Sequence, residues 1–264
     1  MIPFSPNLKF STLFNSKKNY WKVEEGQHHF FLSRSSWSIL TICLFKQMEF
    51  PRRKITLLLP EYFCYDPLPL LNDIVYVKYY QIDDKFNPIL KNLNEISELE
   101  KPDIFLSVHY FGQPVHSNEL KNFCIKNKCW HIEDATHCLK RDRIIGSQGD
   151  FILFSPYKHV ALPDGAILIT NSKGPSKLDI EPFKKIDINQ FLKKQLSERN
   201  FDKSLKRNNS NWIAFKWIFK QMIYFFFKNT KLLDFYLTKN YLKSLEPNQQ
   251  LLTYSFKISR ISNG

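Results

Sequence analysis

The residue in this chain best suited to covalent chemistry is Lys158, which follows the apolar run 151–155 and lies beside a turn. A lysine that is partly desolvated and close to other cations can act as an amine nucleophile toward an aldehyde. Ser155, three residues earlier, has a hydroxyl that suits a phosphate group. For a single loop lysine, a solvated side chain is the simpler explanation, since the chain contains many lysines.

A carboxylate stands at a comparable place in the segment His131-Ile132-Glu133-Asp134, where an apolar run ends in acidic residues. Asp134 at the end of a strand can pair with a protonated ring nitrogen and keep that ring charged, so that the ring withdraws electrons. Taken alone, Asp134 is more simply explained as a helix cap or a loop residue.

The third candidate group is Ser35 and Ser36, which open an apolar helical segment. The first turn of a helix has free N–H groups and the positive end of the helix dipole, and both favour a phosphate. An ordinary serine-capped helix fits the same residues.

Six apolar runs predict the strands that must position these groups, and four segments between them have helical spacing. The predicted strands are 54–59, 74–79, 103–108, 130–133, 151–155 and 166–170, and the predicted helices are 35–47, 64–72, 89–99 and 117–128. Strands that alternate with helices predict an α/β fold, a mostly parallel sheet sandwiched by helices. Ligands of such sheets bind at the carboxyl ends of the strands, where the three candidate groups fall.

The composition and charge of the chain limit the kinds of partner and ligand that we expect. Its 264 residues are 43% hydrophobic, which suits one large domain, with or without a small attachment. The net charge of +13 comes from lysines spread along the chain, without a nucleic-acid-binding motif, so we expect no nucleic-acid partner. The five cysteines form no CxxC pair, which favours buried free thiols over a metal site or disulfides.

Two further features concern location. The first residues lack the pattern of a secretory signal, and we expect a cytoplasmic protein. The aromatic segment 211–242 is interrupted by Lys216, Lys220 and Gln221, which predicts an amphipathic helix that packs on a domain or partner rather than a membrane span. Interfacial attachment is the alternative, but membrane association is not the expected outcome.

Two long stretches resemble a known family. The run SVHYFGQPVHSNELKNFCIKNKCWHIEDATHCL resembles the "vHxyGqp" and "xEDxAq/h" segments of the DegT/DnrJ/EryC1/StrS aminotransferases, and GDFILFSPYKHVALPDGAILIT resembles their cofactor-lysine segment. The resemblance covers about residues 28–171. It implies a large domain that binds pyridoxal 5'-phosphate (PLP) over 1–175 and a lysine- and aromatic-rich helical extension over 176–264. The family's small C-terminal domain is expected to be missing.

The resemblance also implies a role for each matched residue. Lys158 would bond to the cofactor and shuttle the substrate proton, and Asp134 would pair with the pyridine nitrogen. His137 would lie beside the ring near its phenolic oxygen. The phosphate would be held by Ser155, Ser35 and Ser36. A residue among Tyr62, Phe63 and Cys64 would lie near the ring position of the family's stacking aromatic.

For the whole chain, the resemblance implies transfer of an amino group, usually from glutamate, to a nucleotide-linked keto-sugar, by a homodimer. The chain departs from the family at Ser33 and Ala166, which stand where the family usually has glycine. The alternative is a truncated or inactive homologue that acts as a binding or partner subunit.

Overall fold

Seven β-strands form one sheet in the computed structural model, which describes residues 21–199 except 22, 66, 116, 161 and 163, together with Phe219. The strands are β1 (Gln27–Leu32), β2 (Ile55–Pro60), β3 (Val75–Tyr80), β4 (Ile104–Val108), β5 (Trp130–Asp134), β6 (Phe151–Phe154) and β7 (Ala166–Asn171). Their order across the sheet is β1-β7-β6-β5-β4-β2-β3. Strand β7 is antiparallel to both neighbours, and the other pairs are parallel, which confirms the predicted mostly parallel sheet.

Helices cover both faces of this sheet. They are α1 (Ser35–Glu49), α2 (Leu68–Leu71), α3 (Leu90–Leu99), α4 (Ser117–Asn127), α5 (Glu181–Lys184) and α6 (Ile188–Glu198). Buried residues of α1, α2, α5 and α6 share one hydrophobic cluster, and those of α3 and α4 share another. Successive residues of β2 face opposite clusters, because Leu57 and Leu59 belong to the first and Leu58 to the second. The unbroken apolar run of this strand follows from burial on both faces.

The structure differs from the sequence-based expectation in three places. The predicted helix 64–72 is reduced to α2, which begins directly after Pro67 and has Pro69 in its first turn, where the missing N–H of proline is tolerated. Strand β1 was not predicted, since it is an edge strand that pairs with β7 and lacks a clear apolar alternation. The expectation of buried thiols is wrong for Cys64, which is exposed, while the other four cysteines are buried.

The chain separates into two compact units, Met1–Arg207 and Asn208–Gly264. Helices α5 and α6 lie beyond the predicted domain boundary at residue 175, and that boundary stays a prediction. The predicted helix over 211–242 lies outside the described residues apart from Phe219. Within the part of the chain that the structure describes, no helix is long and apolar enough to cross a membrane.

Candidate active site

The candidate site lies at the carboxyl ends of β5 and β6, which are parallel neighbours. Asp134 is the last residue of β5 and pairs in register with Leu153 of β6. After β6 the chain passes through Ser155 into a 3-10 turn, Pro156–Lys158, closed by the Lys158 N–H, which donates to the Ser155 carbonyl at 3.0 Å. The topology therefore brings the predicted carboxylate, hydroxyl and amine to one edge of the sheet.

Thr136 connects the carboxylate with the amine. Its backbone N–H donates to Oδ1 of Asp134 at 2.9 Å, and its hydroxyl oxygen accepts a hydrogen bond from Nζ of Lys158 at 3.2 Å. Asp134 is 8% exposed and Thr136 is 4% exposed, so both are shielded from water. Thr136, which the sequence did not single out, thus forms hydrogen bonds with both Asp134 and Lys158.

Ser155 has a buried hydroxyl without a partner. Its side chain is fully buried, and its Oγ makes no hydrogen bond with any residue that the structure describes. A buried hydroxyl without a partner costs free energy, and functional sites are one place where such groups persist. The Ser155 hydroxyl is thus available to a ligand at the carboxyl end of β6.

The start of α1 lies next to the turn that leads into β7. The Gly165 N–H donates to the Ser33 carbonyl at 2.8 Å, just before the helix begins. Gly165 has a φ of +139°, a backbone conformation that favours glycine. No side chain caps α1, and Ser35 and Ser36 in its first turn are half-buried. The helix start therefore keeps the N–H groups that the phosphate hypothesis needs.

His137 is held by Phe111. The Phe111 N–H donates to Nδ1 of His137 at 3.3 Å, and the two rings stack with centroids 5.7 Å apart. Burial lowers the pKa of His137, and the nearby positive charge of Lys158 lowers it further. Because Nδ1 accepts a hydrogen bond, the neutral imidazole has its proton on Nε2, which can donate to a ligand.

The candidates for a stacking aromatic have different surroundings. Tyr62 is 61% exposed, and its carbonyl accepts a hydrogen bond from the Tyr110 hydroxyl. Phe63 is partly buried and packs against the first hydrophobic cluster, and Cys64 is exposed. Tyr62 belongs to an aromatic group with Phe86 and Tyr110. The choice among the three stays a prediction.

A buried hydrogen-bonded pair supports the site, and sequence reasoning missed it. Oε2 of Glu133 accepts from Nε2 of His109 at 2.8 Å, and the same carboxylate accepts the N–H groups of Gly146, Gln148 and Gly149 at 2.9, 2.6 and 2.5 Å. Burial opposes the ionisation of Glu133, but these hydrogen bonds, that from His109 first, prevail and lower its pKa to about 2. The only sequence signal was the acidic residue beside Asp134, on the opposite face of β5.

Two clefts among the described residues lie away from this edge. One, of about 750 Å³, is lined by residues of 185–197 along α6. The other, of about 500 Å³, is lined by charged and polar residues of both signs, among them Glu24, Arg141, Asp142 and Lys173. Neither contains Lys158 or Asp134, so the chemistry of the side chains, rather than the size of a cavity, defines the candidate site.

Comparison with protein families gives one match. Residues 83–201 match the DegT/DnrJ/EryC1/StrS aminotransferase family. The matched range includes Asp134, His137, Ser155 and Lys158 and leaves out Ser35. No curated protein sequence matches the chain.

Solved structures with a similar fold include PseC of Helicobacter pylori, an aminotransferase involved in the biosynthesis of pseudoaminic acid. It is 18% identical, with a TM-score of 0.47, over 55% of this chain and 40% of that chain. A DegT DnrJ EryC1 StrS aminotransferase from Brucella abortus is 18% identical, with a TM-score of 0.45, over 55% and 42%. An E. coli GDP-4-keto-6-deoxy-D-mannose-3-dehydratase with bound hydrated PLP is 17% identical, with a TM-score of 0.45, over 56% and 41%. The chain spans about two fifths of each of these proteins.

Proposed function

We propose that the protein is a PLP-dependent aminotransferase acting on a sugar, because residues 83–201 match the DegT/DnrJ/EryC1/StrS aminotransferase family. The observation that carries the proposal is the arrangement of Lys158, Thr136 and Asp134 at the ends of β5 and β6. It combines an amine with a buried carboxylate inside the matched range.

The residues present fit PLP. The buried Ser155 hydroxyl lacks a partner among the described residues, and the uncapped start of α1 is tied to the turn before β7 by the hydrogen bond from Gly165 to Ser33. Both are donors suited to a phosphate. Asp134 suits a protonated ring nitrogen, and Lys158 suits an aldehyde.

In this proposal each side chain has one task. PLP, when bound, supplies an aldehyde and an electron-withdrawing ring. The Lys158 amine would hold the cofactor and would move a proton at the substrate carbon. The Asp134 carboxylate keeps the ring nitrogen protonated. Nε2–H of His137 donates a hydrogen bond beside the ring, and Ser155 with the first turn of α1 holds the phosphate.

We further propose that the amino donor is glutamate and that the acceptor is a nucleotide-linked keto-sugar. The family resemblance supports both, and the net charge of +13 suits a diphosphate-linked substrate. The resemblance also supports a homodimer. Sedimentation equilibrium of the purified chain at several concentrations tests that part, because a mass near that of one chain at every concentration excludes the dimer.

The donor half-reaction tests the proposed activity without knowledge of the sugar. The protein is loaded with PLP and mixed with glutamate, and 2-oxoglutarate is measured in an amount stoichiometric with the protein. Lys158→Ala is the control, because it removes the amine and leaves the turn backbone in place. Stoichiometric 2-oxoglutarate from the wild type and none from the variant supports the proposal. No product from either one refutes it.

A partner subunit without catalysis is the second candidate. It is favoured by Ser33 and Ala166, which stand where the family usually has glycine. Ala166 is 2% exposed at the start of β7, so added bulk there lies in a crowded place. PLP capture at Lys158 without any reaction with glutamate is the result that this candidate requires.

A further inference from the structure

We propose that Thr136 is a positioning residue, whose hydroxyl holds the Lys158 amine beside Asp134 whenever that amine is not bonded to the cofactor. The proposal rests on the function proposed above and concerns a residue to which the family resemblance gives no role. It assigns to Thr136 no contact with the reacting atoms.

The geometry of Thr136 carries the proposal. Its hydroxyl oxygen lies 3.2 Å from Nζ of Lys158, while its backbone N–H, 2.9 Å from Oδ1 of Asp134, fixes the residue on the end of β5. Thr136 therefore contacts both the carboxylate and the amine.

The family motif that this segment resembles has no hydroxyl at the position of Thr136. The family motif that the segment resembles reads "xEDxAq/h", and its alanine corresponds to Thr136 of Glu133-Asp134-Ala135-Thr136-His137. The side chain of an alanine has no oxygen that could accept this hydrogen bond. The structure therefore shows an additional hydrogen bond to Lys158 that the family pattern does not provide.

The chemistry explains why such a contact is useful. In a two-step amino transfer, the substrate amine displaces the lysine from the cofactor, and the lysine must later return. A free lysine side chain has high rotamer entropy, so an acceptor near the site keeps it ready to return. A threonine hydroxyl accepts from an ammonium and donates to a neutral amine, and its branched side chain is stiff. It therefore serves both protonation states of Lys158.

Cofactor-free protein tests the contact directly. Thr136→Val keeps the shape and the backbone N–H but removes the hydroxyl, and Thr136→Ser keeps the hydroxyl. Each protein is methylated with formaldehyde and cyanoborohydride at pH 7. Mass spectrometry of the peptides then gives the labelling rate of Lys158 relative to the exposed Lys91.

We expect Thr136→Val to raise this ratio about five- to tenfold, because the Lys158 amine loses its hydrogen-bond partner and is freer to reach the reagent. Thr136→Ser should stay within about twofold of the wild type, by the same argument. An unchanged ratio in Thr136→Val overturns the proposal. An equal rise in both variants also overturns it, because the hydroxyl is then not the cause.

The role in return of the amine is tested in the loaded protein. Pyridoxamine phosphate and 2-oxoglutarate are added, and the visible band of the lysine-bound cofactor is followed in a stopped-flow instrument. We expect the band to return several-fold more slowly in Thr136→Val and at the wild-type rate in Thr136→Ser. Equal rates in all three proteins overturn the role. If no protein forms the band, the proposed aminotransferase function fails, while the methylation ratio still decides whether Thr136 holds Lys158.

Discussion

Nε2 of His109 lies 2.8 Å from Oε2 of Glu133, and both side chains are almost fully buried. His109 directly follows β4, and Glu133 lies in β5 beside Asp134. The same Glu133 carboxylate binds the backbone of the turn that leads into β6, the strand that carries Ser155 and Lys158. One buried anion thus fixes the relative positions of the three chain segments that build the candidate site.

Glu133→Gln should destabilise the protein by about 3–5 kcal/mol, because an amide cannot accept four hydrogen bonds and its NH2 group opposes the backbone donors. Urea unfolding measures the change. Glu100→Gln is the matched control, since Glu100 forms an exposed ion pair with Lys78, whose loss costs about 1 kcal/mol or less. Equal effects of the two substitutions would contradict the anchoring role of Glu133.

The contribution of the Glu133 carboxylate to stability changes with pH in a direction that follows from its pKa. The pKa of Glu133 is lowered in the folded protein to about 2 from its ordinary value of 4.5, so the unfolded chain binds the proton more readily. Its contribution to stability is therefore complete above about pH 4.5 and is lost as the pH falls toward 2. The difference in unfolding free energy between wild type and Glu133→Gln should shrink over that range. A constant difference would count against the ionised anchor.

His131 should make the protein less stable at mildly acidic pH. Its Nε2 lies 2.9 Å from the Ser107 hydroxyl, and burial lowers its pKa to about 4 from its ordinary value of 6.5. Stability should fall by roughly 1.4 kcal/mol per unit as the pH drops from 6.5 toward 4. Asp150, whose pKa is raised to about 6 by burial, opposes this trend below pH 6.

His131→Gln isolates the contribution of this histidine, because glutamine keeps a polar group near Ser107 and does not titrate. Thermal or urea unfolding from pH 7 to 4.5 gives the two stability curves. The wild type should lose more stability than the variant as the pH falls, and Asp150 contributes equally to both. Parallel curves would show that His131 does not take up a proton on unfolding.

Ser155→Ala should separate stability from cofactor binding. Because Oγ of Ser155 is buried without a partner among the described residues, its removal should leave cofactor-free stability unchanged or raise it by about 1 kcal/mol. The affinity for PLP should fall by about tenfold, because a hydrogen bond to the phosphate is lost. Urea unfolding and a spectral titration with PLP measure the two quantities.

Ser38→Ala is the control for this experiment. Ser38 lies in α1 and also has a fully buried Oγ without a partner in the described part of the chain. Its replacement should change stability in the same direction as Ser155→Ala and leave PLP affinity at the wild-type value. Equal affinities of the two variants would show that the Ser155 hydroxyl does not hold the phosphate.

Asp134→Asn should leave the turn intact, since an asparagine oxygen still accepts the Thr136 N–H, but it removes the charge. The rate of the reaction with glutamate should fall on the order of 100-fold, because the ring nitrogen loses the anion that keeps it protonated. Stopped-flow absorbance of the PLP-loaded protein measures this rate. A rate within twofold of the wild type would remove Asp134 from the proposed site.

Much of the fold could be predicted because each central strand is a short apolar run bounded by turns. Strand β1 could not, since an edge position leaves no clear periodicity, and the predicted helix 64–72 was longer than the observed α2. Three residues of the candidate site, Lys158, Asp134 and Ser155, could be predicted from their residue types and their positions at strand ends. The contacts of Thr136 with its neighbours depend on the register of β5 against β6, which the sequence does not contain.

The buried pair of His109 and Glu133 was missed for a similar reason. The two residues are 24 positions apart, and only the pairing of β4 with β5 brings them together. A buried carboxylate has no periodic signal in a sequence. Its presence becomes evident once the turn 146–149 is seen to donate its N–H groups to one side chain.

The most direct test of the proposed function is to identify the residue to which PLP binds covalently. The purified protein is mixed with PLP, its visible absorbance is recorded, and borohydride reduction is followed by peptide mapping, with Lys158→Ala in parallel. We predict a visible band and a single reduced site at Lys158, both absent from the variant. Reduction spread over surface lysines, or a band that persists in Lys158→Ala, would contradict it.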